Sequence, residues 1–141
     1  MYNFDLVKQY LLMTHPPSIM RLHLSCRIWI AEMNFDIDIL RIFDDYLQEL
    51  SVKENGSEIK TGIHYFLKQF VDTRKEIDEL RDGFHILKMK LAAFSKEKKP
   101  LEDNNPEIAH YADIKKRYVI FRKAFNKLKN EFSDFEGKWL D

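Results

Sequence analysis

Three observations predict an all-α fold for this chain of 141 residues. Apolar residues recur at alternating steps of three and four along most of its length, the spacing that lines one face of a helix. Only four Gly and four Pro are present, which leaves little material for turns, so the elements must be few and long. Apolar residues make up 45% and charged residues 33%, whereas a disordered chain carries too little apolar surface to offset its entropy. Together these predict an antiparallel bundle of three long helices, over about residues 18–53, 57–98 and 105–137, with coiled-coil-like packing. A short N-terminal helix, about 3–13, completes a single domain spanning 1–141.

The short helix follows from Asn3 as N-cap and from the stripe Phe4, Val7, Tyr10 and Leu11. It is below the roughly 12–15 residues at which an isolated helix becomes marginal, so it must dock. His15-Pro16-Pro17 stops it, since proline removes a donor and pushes the preceding residue out of the α region. Ser18 caps the first long helix, whose seam is Leu22, Cys26, Trp29, Met33, Asp36, Leu40, Phe43, Leu47 and Leu50.

Asn55-Gly56 ends that arm, with Gly56 expected in the left-handed conformation and Ser57 capping the next helix. The second seam runs Ile59, Ile63, Phe66, Phe70, Thr73, Ile77, Leu80, Phe84, Leu87, Leu91 and Phe94. Folding at Asn55-Gly56 pairs residues whose numbers sum to 109 or 110, which sets Asp36 opposite Thr73. Gly62 and Gly83 share one flank of this arm, which suggests close approach of another helix there.

Residues 98–105, KKPLEDNN, form the one extended polar loop. Asn105 caps and Pro106 opens the last helix, with seam Tyr111, Ile114, Tyr118, Phe121, Phe125, Leu128, Phe132, Phe135 and Trp139. Folding at this loop pairs residues summing to about 202, so Phe84 should meet Tyr118 and Phe70 should meet Phe132. The first arm carries a second apolar stripe, Ile28, Phe35, Ile39, Ile42 and Tyr46, which makes it the expected hub between the other two helices. Some of that stripe should remain for a partner, and an isologous homodimer is the commonest way to cover it.

Candidate sites are few. A carboxylate on a seam is costly unless paired, so Asp36 and Thr73 read as a structural polar layer, with Arg122 and Lys129 of the last helix supplying the counter-charge. Two sets could hold a metal ion in principle: Glu32, Asp36 and Glu76, or His23, Asp82 and His85. Carboxylate bundles that bind metals bring Glu-x-x-His pairs to one level. Here Glu32 is followed at that spacing by Phe35, and Glu76 by Glu79. No metal or cofactor is therefore expected.

The run from Lys115 to Lys129 (Lys115, Lys116, Arg117, Arg122, Lys123, Lys127, Lys129) has interleaved aromatics, superficially like a nucleic-acid surface. Tyr118, Phe121 and Phe125 fall on the seam, however, and should point inward. Lys plus Arg balances Asp plus Glu at 23 each, so no global field favours nucleic acid or an anionic membrane. The first arm is acidic where the last is basic, so internal complementarity accounts for much of both.

The lone Cys26 excludes an intrachain disulfide and reads as a buried apolar side chain. The N-terminal residues have no basic leader, and no apolar run approaches the roughly 20 residues of a bilayer span, so a cytoplasmic protein is expected. There is no phosphate loop, nucleophile elbow or placed acid–base pair, and no enzyme is expected. The expected function is a non-catalytic protein-interaction or assembly module. Metal or small-ligand binding, or nucleic-acid binding through the last helix, are the alternatives.

The spacing Trp29-x2-Glu32-x2-Phe35-x7-Phe43-x3-Leu47, with Phe66-x3-Phe70 and Ile77-Asp78-Glu79-Leu80 downstream, resembles a group of small bacterial helical proteins of unknown function. The resemblance covers residues 26–94 and implies the helical hairpin. In that group histidines stand where this chain has Cys26, Tyr65, Asp82 and Leu87, so it implies no metal chemistry here and supplies no activity.

Overall fold

The structure is a computed structural model and describes residues 18–97 and 105–139. Helix α1 is Ile19–Lys53, α2 is Ser57–Lys96 and α3 is Pro106–Trp139. The expected helix over 3–13 lies outside the described residues. At about 1.5 Å per residue these are rods of roughly 50–60 Å.

The helix starts follow local chemistry. The Ser18 hydroxyl accepts from the Arg21 amide at 3.1 Å, and the Asn105 side chain accepts from the Glu107 amide at 2.9 Å, so two otherwise unpaired first-turn donors are satisfied. The α1–α2 turn differs from expectation. Gly56 has φ −62° and ψ 146°, which is extended backbone, and it occupies the N-cap of α2 itself. Ser57 is the first helical residue, and its carbonyl accepts from the Thr61 hydroxyl. The chain thus leaves α1 through an extended Glu54, and Gly56 is not left-handed.

All three seams converge on one aromatic-rich core. Met33, Leu40, Leu47, Phe70, Ile77, Leu80, Phe84 and Leu87 are wholly buried. Each such side chain is worth roughly 1.5–3 kcal/mol of burial. Phe84 packs edge-on to Tyr118 at 5.7 Å and Phe70 to Phe132 at 5.5 Å, the two α2–α3 contacts expected from folding at the second loop. Helix α3 therefore runs parallel to α1, and Phe43 meets Phe132 at 4.3 Å between their ring centroids.

The register of the α1–α2 hairpin is shifted from the expected one. Trp29 contacts Phe84 and Phe43 contacts Phe70, pairs that sum to 113. Helical side chains lean toward the N-terminus of their own helix, so each covers a spot about one residue earlier. In an antiparallel pair both leans add, and contacting residues sum to about two more than the backbone levels do. Long arginines reach further, as Arg81 with Asn34 and Arg74 with Asp44 show. On that contact register Asp36 falls opposite Ile77, and Thr73 opposite Leu40.

The hub also differs. Backbone approach is close between α1 and α2 and between α2 and α3, so the central helix is α2. Its two interior glycines decide this. A Cβ at Gly62 would collide with the Phe135 ring, and one at Gly83 with the Ile114 side chain. Their absence lets α3 settle against α2. Helices α1 and α3 instead meet through long side chains: Trp29, Glu32, Asp36, Phe43 and Tyr46 on one side, Tyr118, Arg122 and Phe132 on the other.

Candidate functional site

The wide α1–α3 seam holds a buried polar layer. Glu32 and Asp36 stand one turn apart on α1, 4% and 2% exposed. Arg122 reaches from α3 and grips Asp36 with both terminal nitrogens, Nη1 to Oδ1 at 3.0 Å and Nη2 to Oδ2 at 2.6 Å. Nη2 also lies 2.9 Å from Glu32 Oε1 and donates to the Tyr118 hydroxyl at 2.7 Å. That hydroxyl in turn donates to Glu32, closing a ring of Arg122, Tyr118 and Glu32 to which Asp36 is joined through Arg122. The planar fork suits this geometry, because a guanidinium can serve a bidentate carboxylate and a further acceptor at once. Its carbon also lies 5.3, 5.5 and 5.8 Å from the ring centroids of Tyr118, Phe121 and Phe125.

Two carboxyl groups share one guanidinium in this layer. Burial holds the Asp36 carboxyl above the usual carboxylate range, and the Glu32 charge adds to the rise. Arg122 and the charge of Lys129 oppose it. Burial and the Glu32 charge also push the Tyr118 phenol up, so it remains a hydrogen donor. Lys129 stands off the carboxylates, with Nζ 5.0 Å from the Phe125 centroid.

The other expected residues fall elsewhere. Thr73 is half-buried and spends its hydroxyl on the Gln69 carbonyl of its own helix, 2.7 Å away, so it needs no partner across the seam. Glu76 belongs to the opposite side of α3, where Arg117 donates to it at 2.8 and 2.9 Å and also to Glu79. The trio Glu32, Asp36 and Glu76 is therefore split between two arginines. His85 and Asp82 are exposed on α2. Burial, Lys88 and Arg27 lower the His23 pKa. Among the described residues no three of His, Cys, Asp and Glu come together in a way that could hold a metal ion.

Arg21, His23, Leu24, Arg27, Leu91 and Lys96 line a cleft of about 630 Å³ between the start of α1 and the end of α2. This concentration of positive charge is unfavourable for a cation. Along α3, Tyr118, Phe121 and Phe125 are buried, which removes the stacking platforms a nucleic-acid surface would need. Arg117 and Arg122 are committed to acids of α2 and α1, leaving Lys116, Lys123 and Lys127 as the exposed part of the run, with Lys115 half-buried.

The second α1 stripe divides. Ile28, Ile39 and Tyr46 are half-buried against the core, whereas Phe35 and Ile42 are 48% and 60% exposed. Leu24 extends this exposed apolar line along α1. Sequence reasoning missed Tyr118 as a member of the polar layer. It reads as one more seam aromatic, and only its level with Glu32 across a parallel pair marks its hydroxyl as the donor. Among the described residues no helix is long and apolar enough to cross a membrane. No family model, curated protein or solved structure matches the chain.

Proposed function

We propose that this chain is a non-catalytic helical module that works by protein–protein interaction, self-association being its simplest form. The observation that carries the reading is the line Leu24, Phe35 and Ile42 along α1, three large apolar side chains on one helix face that are 39%, 48% and 60% exposed. Apolar surface gathered on one face of a monomer costs solubility and marks an interaction surface when its rim is polar. Here exposed acids stand among and beside the apolar side chains, with Asp38, Asp45 and Glu49 on α1. The polar layer behind the line takes a structural role, fixing how α3 sits on α1. We place the protein in the cytoplasm, a reducing compartment that suits its single buried thiol.

Sedimentation velocity of the full chain over a dilution series tests the reading. A reversible shift to a larger species in the micromolar range is expected. A strict monomer up to about 100 μM, far above the dissociation constants of specific complexes, contradicts it.

A further inference from the structure

The outward face of α1 carries a second heptad seam of its own, separate from the one that faces α2. Stepping by three and four, it reads Arg21, Leu24, Ile28, Ala31, Phe35, Asp38, Ile42 and Asp45. Leu24, Phe35 and Ile42 are exposed, and Arg21, Ile28 and Ala31 are half-buried. The order of residue types is what identifies the occupant. The seam begins with a base, is mainly apolar through its centre and ends in an acid, so reversing its direction sets base against acid at each end.

We propose that the partner on this face is a second copy of the chain, with the two α1 helices antiparallel about a twofold axis between Ala31 and Phe35. The inference rests on the interaction reading above and names the partner and the register. In an antiparallel coiled coil, positions of the two kinds alternate across each layer, and a pairing that sums to 66 matches the central and end layers, the Ile28–Asp38 layer being the polar exception. Leu24 then meets the partner's Ile42, and Ala31 meets the partner's Phe35, small against large. Arg21 meets the partner's Asp45 at both ends. Asp38 sits over the partner's Ile28 within reach of the partner's Arg27, while its own Arg41 holds it at 3.3 Å. The contact spans residues 21–45, roughly 36 Å of helix.

The other closed arrangement, α1 on the partner's α3, is poorer. It sets Phe35 and Ile42 against a strip of α3 whose outward positions are Ala112, Val119, Asn126 and Ser133, with Val119 the one large apolar side chain among them. Antiparallel α1 pairing buries apolar on apolar, and isologous symmetry lets a single seam serve both copies.

The test is a charge exchange in the full chain, read by sedimentation equilibrium. Asp45→Arg sets like charges against Arg21 at both ends and is expected to weaken the dimer at least about tenfold, as repulsive contacts do. Arg21→Glu is expected to do the same. The double variant Arg21→Glu/Asp45→Arg restores the pairing within one homodimer, to within about threefold of the original. Melting of Asp45→Arg at dilute monomer concentration should match the original, since Asp45 is exposed, and circular dichroism should show every variant helical. A dimer that the double variant does not restore overturns the seam and leaves the interaction reading standing. A full chain that is monomeric throughout overturns both. A monomer that loses thermal stability on Phe35→Lys assigns the face to another segment of the same chain and likewise overturns the proposal.

Discussion

Replacing Arg122 by Met strikes the one place where the bundle depends on charge in its interior. The methionine keeps most of the stem volume and its contacts with Phe121 and Phe125, so packing changes little. What is lost is the bidentate grip on Asp36, the contact with Glu32 and the donor to Tyr118. Two carboxylates that are 4% and 2% exposed are then left without their main counter-charge. Breaking a buried pair from one side costs about 3–5 kcal/mol, because the remaining charge stays buried and unpaired. Chains of this size have total stabilities on the order of 7–20 kcal/mol, so the loss is a large share. It corresponds to a fall in Tm of roughly 10–15 °C.

Urea unfolding followed by circular dichroism at neutral pH measures the loss, and repeating it at lower pH gives the sign of the charge effect. Asp36 is already raised by burial, and removing Arg122 removes the strongest opposing influence. A carboxyl with a raised folded-state pKa contributes stability that is full below its unfolded pKa of about 3.9 and is lost as pH rises through the folded value. The deficit of Arg122→Met should therefore shrink as pH falls toward that range. Arg117→Met is the control, since Arg117 is about half exposed, with 47% side-chain accessibility, and exposed pairs contribute less than about 1 kcal/mol. A loss below about 1 kcal/mol for Arg122→Met, or a deficit that widens on acidification, refutes the reasoning.

Three further outcomes are expected. Gly62→Val and Gly83→Val should each destabilise by about 1–3 kcal/mol in thermal unfolding, because overpacking against Phe135 or Ile114 outweighs the gain in helix propensity. Gly137→Ala, with open space around it, should instead be neutral or stabilise by up to about 1 kcal/mol. Burial pushes the Cys26 thiol up to about 12, so a thiol reagent at mildly alkaline pH should label it on unfolding and leave the native protein unmodified. His23 has a pKa lowered by burial and by Lys88 and Arg27, so its contribution to stability is present above its unfolded pKa of about 6.5 and lost as pH falls. Thermal melts at pH values on either side of that point should show a smaller acid-induced drop for His23→Gln.

Much of the architecture was legible because heptad spacing is a property of the chain itself. Ser18 and Asn105-Pro106 marked two helix starts through capping chemistry that needs no tertiary partner. Asp36 was legible as an anomaly, since a carboxylate among Met33, Leu40 and Phe43 demands a counter-charge, and Arg122 bonds to it. The register was not, because a fold drawn at the turn counts backbone levels, whereas contacts form between side chains that lean. Thr73 illustrates the cost of that difference: its polarity suggested a cross-helix partner, but a threonine can satisfy itself on its own helix. The central place of α2 was also hidden. It depends on how closely two backbones approach, and Gly62 and Gly83 act there by what they lack.

The claim that the outward face of α1 is an assembly surface is tested most directly by following amide chemical shifts of the labelled full chain on dilution. Concentration-dependent changes are expected at residues 21–45 on the face bearing Leu24, Ala31, Phe35 and Ile42, and Phe35→Lys should abolish them. Spectra that do not change with concentration, or changes confined to α2 or to the far side of α3, contradict the account.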